Sequence, residues 1–303
     1  WNVEYVTRQG VPEKYSAITR IGSIGATDGP PGSSESEGAA LSLTMCGEHL
    51  LCYGTEKGVI HAYDHRQGKD AWQLRLKPSH GIMRSMFCDS HKQTWMATAS
   101  NFGVISLFDL RFLMCAKRWQ HPCQTDLHAM TPFDDVIPSD TSGNCRVLIS
   151  AGGHETAVWN VFEGKCEQIF RNLDENATSY ASGPVACEKA KATLRSPTLR
   201  DLQMDNASGI RVVLPLPNGG FLTAGSDKFM RFWHPHRYEY SYCMCGPSRK
   251  DLSSYYYSKK IYNGISVVEE EARNPDVASG KQKGSNACHE DCILDLALID
   301  SQD

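Results

Sequence analysis

Hydrophobic positions in this chain recur in short runs with a period of two. Four stretches share one layout: an apolar run, a small-residue turn, then an alternating run that closes on an aromatic residue followed by a polar one. They are 50–65 (LLCYGTEKGVIHAYDH), 95–110 (WMATASNFGVISLFDL), 147–160 (VLISAGGHETAVWN) and 221–235 (FLTAGSDKFMRFWHP). In the second, Val104, Ser106 and Phe108 fall on one face and Ile105, Leu107 and Asp109 on the other, which is the alternation of a strand covered on at least one face. The β-branched and aromatic content, with glycines close to the strand starts, disfavours helix.

Aligned on their closing aromatics, Tyr63, Phe108, Trp159 and Trp233 lie 45, 51 and 74 residues apart. A unit of four short antiparallel strands takes about 40 to 45 residues, so the excess is insertion. Around Phe108 the four strands are predicted over 82–88, 95–99, 104–109 and 114–119. Repeated four-stranded sheets pack radially into a β-propeller, which leaves only short, protected edges. The expected fold is therefore all-β: an incomplete propeller of about four full four-stranded blades, with partial blades at both ends, over residues 1–303. Trp1-Asn2 reads as the close of a third strand, 3–8 as an outermost strand, and 292–299 (CILDLALI) as the first strand of another blade. On that reading the chain is a segment of a longer protein.

Three insertions break the rhythm. Residues 22–38 are rich in Gly, Ser and Pro, and 171–206 are polar and punctuated by Pro184 and Pro197; both are expected to be mobile. Between 246 and 286, Tyr255, Tyr256 and Tyr257 and the β-branched run 261–268 predict an extra hairpin over 255–268, followed by a mobile polar tail, 269–286. Exposed aromatic residues favour interfaces, so Tyr255, Tyr256, Tyr257, Ile261 and Tyr262 are the candidate partner contacts.

Composition is that of an ordinary globular protein, 41% apolar and 22% charged. A net charge of -4 gives no footprint for nucleic acid or an anionic membrane. The basic residues Arg249, Lys250, Lys259, Lys260, Lys281 and Lys283 are too scattered for the roughly four to eight clustered cations of a lipid anchor. No apolar run reaches the roughly 18 to 20 residues that span a bilayer, and no signal peptide is evident. Many of the twelve cysteines sit inside strand-like runs, at Cys46, Cys52 and Cys88 for example, where they behave as small buried hydrophobes of a reducing compartment.

Cys243, Cys245, Cys288, His289 and Cys292 have ligand chemistry suited to zinc. Their spacing is not that of paired Cys-x-x-Cys ligands, and alternation on a strand explains Cys243 and Cys245 without metal. His121, His128 and His154 stand beside no recognised nucleophile. Asp64, Asp109 and Asp227 recur at repeat positions, which argues for turn and strand-end hydrogen bonds. Thr131-Pro132 and Ser196-Pro197 are phosphorylation candidates of a common type. No catalytic, cofactor-binding or metal-ligating set is assigned.

The endings Trp1-Asn2, Tyr63-Asp64, Phe108-Asp109, Trp159-Asn160 and Trp233-His234 resemble the Trp-Asp endings of WD-repeat propellers. His80-Gly81 stands, reversed, where those repeats carry Gly-His, and Asp227 lies six residues before Trp233 as their structural Asp does. The resemblance implies a buried Asp, His, Ser/Thr and Trp network, with His80 bonding within its own blade. The chain keeps it in pieces, because Lys57, Phe102 and Gly153 occupy the other Asp positions.

The last third, including FLTAGSDKFMRFW, SYCMCGP, NGISVVEE and CHEDCILDLALID, together with RSMFCDSHKQTWMATASNFGVISLFDLRF, resembles the carboxy-terminal propeller of the regulatory-subunit-4 family of class III phosphatidylinositol 3-kinase. That resemblance implies a non-catalytic scaffold supporting autophagy and endosomal sorting. The implied partners are the lipid kinase catalytic subunit, beclin-type coiled-coil subunits and small GTPases of the endosome. The implied location is cytoplasmic, peripheral on late endosomes and autophagosome formation sites. The family's protein-kinase-like domain would lie outside these residues, which hold no Gly-rich phosphate loop, His-Arg-Asp or Asp-Phe-Gly motif. The alternative from a different class is a propeller with a small-ligand or metal site in its central channel.

Overall fold

The computed structural model describes residues 2–8, 11–19, 37–89, 94–121, 126–133, 146–151, 154–173, 209–217, 219–246, 255–272 and 291–298. Strands β1 (Asn2–Arg8) and β2 (Val11–Thr19) pair antiparallel as a two-stranded sheet. Four complete antiparallel meanders follow. The first is β3 (Ala40–Cys46), β4 (Leu50–Thr55), β5 (Val59–Asp64) and β6 (Lys69–Arg75). The second is β7 (Met83–Cys88), β8 (Trp95–Ser100), β9 (Val104–Asp109) and β10 (Met114–Gln120). The third is β11 (Leu127–Pro132), β12 (Arg146–Ala151), β13 (Glu155–Asn160) and β14 (Lys165–Arg171). The fourth is β15 (Ile210–Pro215), β16 (Phe221–Gly225), β17 (Met230–Trp233) and β18 (Tyr242–Cys245).

The first strands of successive sheets lie side by side, β3 on β7, β7 on β11 and β11 on β15, so the sheets are arranged as blades around a common axis. One device repeats in all four. The register between first and second strand slips once, at Ala40/Ser42, Met83/Ser85, Leu127/Ala129 and Ile210/Val212. Such a bulge bends the strand and increases its twist, here at the same place in every innermost strand. The closing aromatics also occupy matching positions. Tyr63, Phe108, Trp159 and Trp233 sit near the ends of β5, β9, β13 and β17, opposite Leu51, Met96, Val147 and Phe221.

The core lies between blades. Cys52, Ile60, Met83 and Met96 fill the first seam, and Trp119, Ile149, Trp159 and Ile169 belong to the second. In the third, Phe170 meets Phe221 and Trp233 edge-on, with ring centroids 4.8 and 5.5 Å apart. Such edge contacts between large buried rings contribute about 0.5–1.5 kcal/mol each beyond area burial.

Three expectations are corrected. The run from 292 forms no strand within 291–298; Ile293 makes one backbone bond, to the Gly225 carbonyl at 3.1 Å, and packs against Val212 and Ala224. Residues 269–272, expected in a mobile tail, continue a strand in which Glu269 and Glu270 meet the buried Arg171 and Arg231, and Arg171, expected to open a mobile insertion, ends β14. The remaining insertion residues, 22–36, 174–206 and 273–286, lie outside the described residues, as does Trp1.

Candidate functional site

The feature that departs from blade regularity is a hairpin of β19 (Tyr255–Tyr262) and β20 (Ile265–Ala272). Its turn is Asn263-Gly264, with φ of 50° and 80°. A two-residue turn with both residues left-handed matches the twist of the flanking strands, and Asn-Gly is the pair that adopts it most readily. Although the hairpin follows the fourth blade in sequence, β20 pairs in parallel with β14, the outer strand of the third, aligning Gln168 with Ser266 and Arg171 with Glu269. The third sheet thereby has six strands, ending in β19.

Tyr255, Tyr257 and Ile261 fall on one face of β19 and Tyr256 and Tyr262 on the other, and their burial differs along each face. Tyr255 is buried, edge-on to Phe229 with centroids 5.7 Å apart. Tyr257 stands edge-on to Trp233 at 5.1 Å and donates its hydroxyl to Glu270 at 3.1 Å, and burial pushes its phenol pKa up. Both rings pack inward, Tyr255 buried and Tyr257 half-buried. Tyr256 is exposed, with its hydroxyl donating to the Glu271 carboxylate, and Ile261 is 73% exposed. Tyr262 is half-buried against the second seam.

Three cations clamp β20. Arg231 of β17, fully buried, donates Nε to Glu270 Oε2 at 2.5 Å, Nη2 to Glu270 Oε1 at 3.1 Å and Nη1 to Asp227 at 2.6 Å. Its guanidinium also lies 4.8 Å from the centroid of the Phe229 ring. Arg171 of β14 reaches Glu269 at 3.2 Å, and Lys260 of β19 bridges Glu269 at 2.6 Å and Glu271 at 3.0 Å. The hairpin is thus bound to two blades by paired charge, leaving Tyr256, Lys259 and Ile261 exposed.

Asp64 accepts from the Arg66 backbone N–H at 2.9 Å and from its guanidinium at 3.0 Å, which holds the carboxyl well below the usual carboxylate range. Asp109 and Arg111 repeat that geometry at 2.9 and 2.6 Å. Asp227 closes its turn by accepting from the Phe229 N–H at 3.2 Å. Trp233 donates Nε1 to Thr223 Oγ1 at 2.8 Å, the one indole-hydroxyl pair of its kind among the described residues. Ile149 occupies the corresponding place one blade earlier, and Trp159 Nε1 has no partner. His80 is buried at the end of a 3-10 turn, and its Nδ1 finds no partner; burial, with Arg118 and Lys77 nearby, lowers its pKa and favours the neutral ring.

The other histidines do not assemble a reacting centre among the described residues. His121 is buried against Trp159, centroids 5.5 Å apart, and burial lowers its pKa to about 4. His128 of β11 lies 3.1 Å from Arg211 of β15; burial, then Arg211, lowers its pKa to about 4. Arg84 of β7 forms a two-pronged pair with Asp126, both contacts at 3.2 Å. These groups, on or beside the innermost strands, pair with one another across neighbouring blades.

Of the cysteines considered for zinc, Cys288, with His289, lies outside the described residues. Cys243 is buried in β18 with its thiol directed at the Met230 and Cys245 carbonyls, and burial pushes its pKa up to about 12. The eight described cysteines are free thiols. Sequence reasoning missed a different trio, Cys46, Cys52 and Cys88, whose sulfurs converge across the first seam. Their positions 42 residues apart carry no local signal.

The buried closing aromatics Phe108, Trp159 and Trp233, aspartate-closed turns and four radially arranged meanders define a WD-type β-propeller segment. No family model matches the chain. It is 28% identical to the serine/threonine-protein kinase VPS15 of Arabidopsis thaliana over 99% of its length, and 22% identical to the putative serine/threonine-protein kinase VPS15 of Komagataella pastoris over 93%. It spans about a fifth of those relatives, 21% and 22% of their lengths. The relatives it matches are thus VPS15 proteins, named as serine/threonine-protein kinases, and the described residues of this chain form propeller sheets. A chain in the crystal structure of the mitotic checkpoint complex aligns with a TM-score of 0.43 at 14% identity, covering 63% of this chain and 48% of that one. Among the described residues no helix is long and apolar enough to cross a membrane.

Proposed function

We propose that this segment is the docking propeller of a class III phosphatidylinositol 3-kinase regulatory subunit, a scaffold that holds the lipid kinase catalytic subunit and beclin-type coiled-coil subunits together. The observation that carries the reading is the similarity to VPS15 along nearly the whole chain. In that role the segment supports autophagy and endosomal sorting, peripheral on late endosomes and autophagosome formation sites through the complex, with endosomal small GTPases as further partners. Physically, the blades supply a stiff frame, and recognition falls to rim elements that vary from blade to blade. The hairpin is such an element. It is pinned by buried ion pairs and exposes Tyr256 on one face and Lys259 and Ile261 on the other.

The test is co-precipitation of the catalytic and beclin-type subunits with the full-length protein carrying Tyr256→Ala and Ile261→Asp together. Both side chains are exposed, so thermal unfolding should match the parent while capture of at least one subunit falls tenfold or more. Undiminished capture of both subunits removes the hairpin from the interface. Failure of the unaltered protein to capture either subunit removes the scaffold reading itself.

A further inference from the structure

We propose that Cys46, Cys52 and Cys88 form a buried three-sulfur site for a soft monovalent cation, copper(I), at the seam between the first two blades. Cys46 ends β3, Cys52 lies within β4 and Cys88 ends β7, so the site draws on three strands of two sheets. Their Sγ atoms all lie within 4.8 Å of one another, and the three residues are 2%, 0% and 2% exposed. Packing alone places cysteines in apolar cores as small hydrophobes, but it does not require three thiols to point at one spot.

The dimensions suit one ion. Three sulfurs each about 2.3 Å from a central ion in their plane are about 4 Å apart, so the trio closes around an ion with sub-ångström movement. The surroundings select its type. Structural zinc takes four ligands, and this cluster offers three. Thiolate and thioether sulfurs favour copper(I), and the same seam contains the thioethers of Met83, Met86 and Met96.

Binding the ion through sulfur displaces thiol protons, which leave to solvent.

The test is anaerobic titration of the reduced full-length protein with copper(I) against a chromogenic chelator. One equivalent should be retained, with sulfur-only coordination by X-ray absorption. Cys52→Ala and Cys88→Ala should each weaken retention a hundredfold or more, whereas Cys166→Ala, a buried cysteine of the third blade, leaves it unchanged. Copper(I) should raise the urea midpoint of the parent and not of either variant, which separates loss of the site from loss of the fold. The proposal is overturned if no equivalent is retained, if retention survives replacement of all three cysteines, or if zinc(II) binds there as tightly.

Discussion

Arg231 and Glu270, 39 residues apart, form a two-pronged ion pair in which both side chains are almost wholly buried, at 2% and 1% exposure. It joins the third strand of the fourth blade to a strand added to the third. Removing one partner of a buried pair strands the other charge and costs about 3–5 kcal/mol, whereas replacing both with apolar groups is often neutral. Arg231→Met should therefore lower stability by about that amount, and adding Glu270→Leu should recover a large part of it. Urea unfolding of the two variants measures both; equal loss in single and double variants would mean that the pair is not the unit of stability.

Thr223 gives Trp233 a partner that Trp159 lacks. Thr223→Val preserves the shape of the side chain and leaves a buried indole N–H unbonded, at a cost of about 1–3 kcal/mol. Ile149→Val, at the equivalent place beside the already unpartnered Trp159, removes only a methylene and should cost about 0.5–1.5 kcal/mol. Chemical denaturation curves compare the two, and the ordering should reverse if the hydroxyl of Thr223 contributes nothing.

Acid should weaken the propeller before its carboxylates titrate. Burial lowers the His121 pKa to about 4, so between that value and the unfolded pKa near 6.5 the unfolded chain binds a proton that the folded chain refuses. The stabilisation from His121 is fully present above 6.5 and is lost as the pH falls toward 4, on the order of 3 kcal/mol in total. His121→Gln should flatten the stability profile across that window. His61 acts in the opposite sense: burial lowers its pKa, but hydrogen bonds to Asp70 at 2.7 Å and Glu37 at 2.5 Å outweigh this and raise it. Its contribution is complete below 6.5 and fades as the pH rises through the raised pKa. His61→Gln should therefore change the alkaline side of the profile and leave the acid side alone.

What could be read in the sequence was what repeats or alternates locally. The strands around Phe108 fell within a residue of β7 to β10, because period-two patterning and turn residues lie within a few positions of what they specify. The extra hairpin over 255–268 was predicted from Tyr255, Tyr256, Tyr257 and a β-branched run, signals of the same local kind. Where that hairpin attaches was not legible, since parallel pairing with β14 links Val267 to Ile169 across nearly a hundred residues. Glu269 and Glu270 looked like a solvated tail because their cations, Arg171 and Arg231, belong to other strands. Cys46, Cys52 and Cys88 were recognised singly as buried, while their convergence depends on how two blades meet.

The strand that crosses back from the fourth blade to the third has a kinetic meaning. β20 cannot dock until β14 is in place, and withdrawing it takes Glu269 from Arg171 and Glu270 from Arg231, leaving Glu155 and Asp227 as their remaining acidic neighbours. These two blades therefore open as one cooperative unit in native-state hydrogen exchange, with amides of β14 and β17 losing protection together. The first blade, which holds no such crossing strand among the described residues, is free to open by itself.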